Sequence, residues 1–130
     1  MKPFLVDTHV WLWLATRPQR LSATVLAQLE DPARVVFLSA ASTWEIAIKY
    51  RLGKLPLHEP PSLFVAPRLI RDRIQPLPVE VRHTLLVADL PDHHNDPFDR
   101  LLIAQAILDG LILVSADKRL LPYEVEIALV

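Results

Sequence analysis

Four acidic side chains stand in four separate segments: Asp7 directly after "FLV", Glu45 in "STWEIAIKYRLG", Asp99 in "HHNDPFDRLLIAQA" and Asp117 just beyond "LILVS". Carboxylates gathered at one place repel each other or take up protons unless a cation neutralises them. Oxygen donors suit Mg²⁺ or Mn²⁺, whereas zinc prefers nitrogen or sulfur, and the chain has no cysteine. The chemistry open to such a group is that of a divalent metal site. Each acid also has a plainer role. Ser42-Thr43-Trp44-Glu45 fits a capping box at a helix start. Asp96 before Pro97 reads as an N-cap with proline at the first helical position. Asp99 then falls in the first turn, where an acid suits the helix dipole. Asp7 and Asp117 both fit turns. What separates the two readings is whether the fold brings the four acids together.

The elements that must position them follow from the apolar pattern. "PFLVD", "RVVFLS", "LILVS" and "VEIAL" are short apolar runs that read as strands. "THVWLWLA" reads as a helix ended by Arg17 and Pro18, and "SATVLAQLED" as one with Ser22 as N-cap and Pro32 past its end. "STWEIAIKYRLG" is a helix stopped by Gly53, and "PPSLFVAPRLIRDR" is one interrupted by proline and followed by a short extended piece, "IQPLP". "VEVRHTLLVADL" and "DPFDRLLIAQAILDG" are two more helices, the second closed by Gly110. Strands apolar throughout and separated by helices imply a mostly parallel sheet covered on both faces. The fold class expected is α/β, a three-layer α/β/α sandwich.

Sites in such sheets lie beyond the carboxyl ends of the strands. Asp7 and Asp117 follow strands directly, and Glu45 is placed in the first turn of the helix after "VVFLS". Asp99 begins the helix that leads into "LILVS". A helix antiparallel to its following strand starts at that strand's carboxyl end, so all four acids are expected on one rim.

The remaining polar residues are less telling. His93 and His94 are adjacent and lack a second histidine at ligand spacing, so they read as loop residues before the helix. Trp11, Trp13 and Trp44 read as core or interface before they read as a base-stacking surface. Arg100, Lys118 and Arg119 flank the acidic rim, and Lys49, Arg51 and Lys54 lie along one helix and its exit. Solvated charges are their default role, with phosphate contact as the second.

Composition bounds the rest. A length of 130 residues, 52% hydrophobic and 22% charged, fits one globular domain over residues 1–130 with a proper core and excludes a disordered chain. The longest apolar stretch, Leu101 to Val114, is broken by Gln105 and Asp109 and is too short to span a bilayer. "MKPFLVDTH" does not read as a signal peptide, which makes a cytoplasmic protein without membrane association the expectation. A net charge of −1 gives no long-range pull on nucleic acid, so a polyanionic partner needs a local patch or a bound metal. The high apolar content predicts an exposed greasy patch covered by another chain.

The order strand-Asp, helix-Glu, helix-Asp, strand-x-Asp resembles the PIN-domain nuclease superfamily. Within it, "FLVDTHVWLW", "SAASTWEIAIKYRLGKL", "HHNDPFDRLLIAQA" and "LILVSADKRLLPYEV" resemble the VapC-type toxins of bacterial toxin–antitoxin pairs. The similarity runs from the first strand to the last. It implies a PIN-like fold and a ribonuclease with Mg²⁺ or Mn²⁺ held by Asp7, Asp99 and Asp117, helped by Glu45. It also implies that Thr8, Asp96 and Ser115 support those acids. The partners implied are an RNA substrate, a small cognate antitoxin and a second copy of the chain in a homodimer. Hydrolysis by water, oriented by Glu45, would leave 5′-phosphate and 3′-hydroxyl ends.

Two rival readings remain. One is a metal-free ribonuclease using His93 or His94 as acid and base. The other is a PIN-like module that holds RNA or protein without cutting. A phosphoacceptor domain would need an aspartate where "VVFLS" ends in Ser39, and a haloacid-dehalogenase-type phosphatase would need one at His9.

Overall fold

The first strand of the computed structural model is Phe4–Val6 (β1), and all three of its side chains are buried. It is the centre of a five-stranded sheet with Val36–Ser39 (β2), Ile74–Leu77 (β3), Ile112–Ser115 (β4) and Ile127–Leu129 (β5). The order is β3-β2-β1-β4-β5, and every pairing is parallel, so the sheet is wholly rather than mostly parallel. All residues from Met1 to Val130 are described.

Six helices connect the strands: Thr8–Thr16 (α1), Ala23–Glu30 (α2), Ala40–Arg51 (α3), Pro61–Asp72 (α4), Val81–Leu86 (α5) and Pro97–Asp109 (α6). Alternation along β1 sends Phe4 and Val6 to one face and Leu5 to the other. The first face packs with Val10, Trp11, Val25, Leu29, Ile46 and Phe64 from α1 to α4. The second packs with Leu102, Ile103 and Ala106 of α6 and with Leu120 and Tyr123 near the C-terminus. This is the expected α/β/α sandwich.

Local chemistry explains most boundaries and corrects several expectations. Ser22 caps α2 by accepting from the Val25 N–H at 3.2 Å, and Gly110 closes α6 in the left-handed region at φ 67°. α3 begins two residues earlier than expected. Ser39 is its cap, accepting from the Ala41 N–H at 3.0 Å, so Ser42 and Glu45 form no capping box and Glu45 lies in the second turn. α4 runs through Pro67 without interruption. "IQPLP" becomes the edge strand β3, where Pro76 is tolerated because an edge residue can forgo its N–H. The helix expected over "VEVRHTLLVADL" is short, and a 3₁₀ turn at Val87–Asp89 completes it. No helix is long and apolar enough to cross a membrane.

The chain steps outward from β1 through β2 to β3, then returns to place β4 on the other side of β1. The reversal opens a crevice beyond the carboxyl ends of β1 and β4, where ligands bind in open parallel sheets.

Candidate functional site

Asp7 leaves β1 at that crevice, tied to the neighbouring strand by its own N–H, which donates to the Val114 carbonyl at 3.0 Å. It is also the N-cap of α1, since Oδ1 accepts from the Val10 N–H at 2.8 Å. Capping accounts for only part of this carboxylate. Asp7 is 6% exposed, and burial pushes its pKa up from 3.8 to about 6 against the lowering bonds from Ser115 and Val10. Repulsion from Asp99 adds to the rise.

Asp99 sits in the first turn of α6, behind the Asp96 cap, whose Oδ1 accepts the Asp99 N–H at 3.0 Å. Burial raises its pKa as well, countered first by a hydrogen bond from His94; Asp96 and Glu45 are near enough to add repulsion. Glu45 reaches in from the second turn of α3 and is 3% exposed. The Thr8 hydroxyl donates to its Oε1 at 2.6 Å and lies 2.9 Å from the Ser42 hydroxyl. Lys49, one turn on, donates to its Oε2 at 2.5 Å.

Asp117 follows β4, and its backbone N–H donates to the Ser115 hydroxyl at 3.0 Å. The Arg119 guanidinium grips its carboxylate, Nε to Oδ1 at 2.9 Å and Nη2 to Oδ2 at 2.7 Å, and holds its pKa below the ordinary value.

His94 lies in the loop before α6, as expected, but it turns inward: it is 8% exposed, with Nε2 2.8 Å from Asp99 Oδ2 and 3.6 Å from Asp117 Oδ2. These three side chains offer ligand atoms all within 4.8 Å of one another. His93, in contrast, is exposed and packs edge-on against Tyr123 at 5.0 Å.

The loop carrying His94 is shaped by two residues remote from it in the chain. The Tyr123 hydroxyl accepts the backbone N–H groups of His93 and His94 at 3.2 and 2.9 Å. Arg100 donates to four carbonyls, those of Pro91, His94, Val87 and Leu90, at 2.9 to 3.3 Å. Both Nη groups of Arg100 are therefore committed to the loop, so Arg100 is a loop clamp where a solvated or phosphate-contacting cation was expected. No periodicity in "LLPYEV" marks Tyr123 as a partner of the histidine loop.

Of the seven residues singled out from sequence, Asp7, Glu45, Asp99 and Asp117 reach the one rim. Thr8 and Ser115 bond to them directly, and Asp96 caps the helix that carries Asp99. A cleft of about 620 Å³, lined by Asp92 to Asp96 and Arg119, opens beside them. The other sizeable cavity, about 590 Å³, lies at the opposite edge of the sheet beside Val35, Val36 and Arg73.

A family model described as "PIN domain" matches residues 4–125. The chain belongs to the PIN domain family. Among relatives of this PIN domain, Ribonuclease VapC22 of Mycobacterium tuberculosis is 29% identical over 121 residues, covering 92% of this chain and 91% of that protein. Ribonuclease VapC16 of the same organism is 45% identical over 75 residues, 55% of this chain, so the match spans about half (53%) of VapC16. The fold is also that of the crystal structure of VapBC2 from Rickettsia felis bound to a DNA fragment from their promoter. That likeness has a TM-score of 0.73 at 14% identity and covers 97% of each chain.

The donor set of the PIN site suits a divalent cation. Three of its acids each have a basic neighbour: Lys49 at Glu45, His94 at Asp99 and Arg119 at Asp117. Asp7, the most enclosed of the aspartates, has no side-chain ion pair, and its raised pKa expresses that deficit.

Proposed function

We propose that this chain is a metal-dependent endoribonuclease and the toxin of a toxin–antitoxin pair, acting in the cytoplasm. The observation that carries the reading is the buried, uncompensated Asp7 carboxylate facing Asp99 where β1 and β4 end. Asp7, Asp99 and Asp117 would hold Mg²⁺, or Mn²⁺ in its place, with Glu45 completing the set. Such an ion supplies positive charge to a phosphate oxygen and lowers the pKa of water enough to make it a nucleophile.

The chain's own side chains do the positioning. Thr8 and Lys49 fix both oxygens of Glu45. Each oxygen keeps a free lone-pair site, so Glu45 can accept a hydrogen bond from the attacking water. His94 spaces Asp99 from Asp117. Ser115 accepts the Asp117 N–H and its hydroxyl helps lower the pKa of Asp7, placing it between the two acids on adjacent strands. Water attacks phosphorus, the P–O3′ bond breaks and the 3′-oxygen leaves and takes up a proton, so the products carry 5′-phosphate and 3′-hydroxyl ends.

The names of the VapC relatives support the ribonuclease reading, and the VapBC2 neighbour supports a small cognate antitoxin as partner. Exposed apolar residues support a protein interface and a homodimer. Val81 and Leu85 lie one turn apart on α5, and Ile107 and Leu108 lie on the last turn of α6, which packs against it.

The test is cleavage of a mixed single-stranded RNA pool with Mg²⁺ or Mn²⁺ and again with EDTA, mapping the product ends and using Asp7→Asn protein as control. Metal-dependent cuts with 5′-phosphate ends, absent from the control, are expected. Cutting that survives EDTA and needs His94 would replace this reading with the metal-free one. No cutting under any condition would leave a binding module.

A further inference from the structure

Two of the three tryptophans are covered by the groups they pack against. Trp11 is fully buried against Phe64, and Trp13 is half-buried under the Arg20 guanidinium at 5.0 Å. Trp44 is 62% exposed and is the largest apolar side chain left in water. It precedes Glu45 on α3, and its ring meets Phe98, which precedes Asp99 on α6, at 5.4 Å with the planes at 71°. The two aromatic rings thus bridge the two helices at the positions next to two of the site's acids.

We propose that Trp44, braced by Phe98, is a stacking platform for an unpaired nucleobase of the RNA substrate beside the acid cluster. This rests on the nuclease reading above and adds the way the strand is seated. The physical case has three parts. A net charge of −1 gives no long-range pull on phosphates, so stacking can add affinity that charge does not supply, and every base offers a π-face whatever its sequence. Phe98 holds the indole edge-on, the arrangement aromatic pairs prefer, so the ring is fixed in place before substrate arrives. Little conformational freedom is then lost on binding. Finally, Arg100, the cation nearest in sequence to Asp99, is tied to loop carbonyls, which leaves the aromatic pair as the feature of α6's entrance able to grip a strand.

The test measures binding of a short 2′-O-methyl phosphorothioate oligonucleotide to full-length protein with Mg²⁺ present, with gel analysis confirming that the oligonucleotide stays intact. Trp44→Ala should weaken affinity on the order of 5- to 150-fold, the span that stacking on an aromatic side chain covers. Trp44→Phe should keep most of the affinity while losing the fluorescence quenching expected of the wild type. An oligonucleotide scanned with abasic sites should lose affinity at one position in the wild type and lose nothing further there in Trp44→Ala.

Two results overturn the platform: undiminished affinity in Trp44→Ala, or abasic losses that simply add to the mutational one. If Trp44→Ala binds RNA normally but changes its sedimentation, the residue belongs to a protein contact instead. The nuclease reading fails separately, by an absence of metal-dependent cutting in protein that still binds the oligonucleotide through Trp44.

Discussion

At neutral pH the Asp7 carboxylate is held charged in a place that strips it of water, so Asp7→Asn removes a charge that folding has to bury. The rise of its pKa from the ordinary 3.8 to about 6 sets the size of the effect. At about 1.4 kcal/mol per pH unit, the charged form costs the metal-free protein about 3 kcal/mol. Asparagine keeps an oxygen for the Val10 N–H, so the cap on α1 survives.

The pH dependence has a definite sign. The folded pKa is raised, so Asp7's contribution to stability is fully present below pH 3.8 and is lost as pH rises through about 6. Asp117 runs the other way: its pKa is lowered, so its contribution is present above the ordinary value and lost as pH falls below it. The two windows do not overlap. Urea unfolding in EDTA should therefore find Asp7→Asn more stable than wild type by about 3 kcal/mol at pH 7.5, with the difference gone by pH 4. Mg²⁺ should reverse the ranking once it is in about a thousandfold excess over Kd, which adds about 4.1 kcal/mol to a protein that binds the ion. A variant less stable than wild type in EDTA, or a difference that ignores pH, would refute the burial argument.

Asp99→Asn should leave circular dichroism unchanged and abolish cleavage, because the substitution keeps the shape and removes the charge. Asp96→Ala should cost about 1 kcal/mol in thermal unfolding through loss of the α6 cap. Arg100→Met leaves four loop carbonyls without their donor and should cost more than about 3 kcal/mol in urea; Arg100→Lys should recover only part, since an ammonium cannot span four acceptors. Tyr123→Phe strips the acceptor from the His93 and His94 N–H groups and should cost about 1–3 kcal/mol. In that variant cleavage should fall too, because His94 rides on the loop.

The residues legible in advance were those whose role is set by chain order. An apolar run followed by an aspartate announces a strand ending at a site, and Asp96-Pro97 announces a helix start. Glu45 was singled out as a first-turn residue of α3 but lies in the second turn, and the capping box that was its plainer reading does not form; its carboxylate instead faces Thr8 and Lys49. Arg100 and His94 were misjudged for the same cause. Whether a cation meets a phosphate or a carbonyl, and whether an imidazole points outward or inward, depends on neighbours supplied from 5 to 29 residues away in the chain.

The sequence by itself therefore determined the strands, most helix boundaries and the four acids, because hydrophobic period, capping and turn chemistry act over a few residues and leave a local record. Only the tertiary structure decided that β4 lies beside β1, that Asp7 is buried with no cation of its own, that His94 bridges Asp99 and Asp117, and that Trp44 stays in water. Those outcomes depend on desolvation and on charges brought together by packing, and neither quantity exists until the chain has closed on itself.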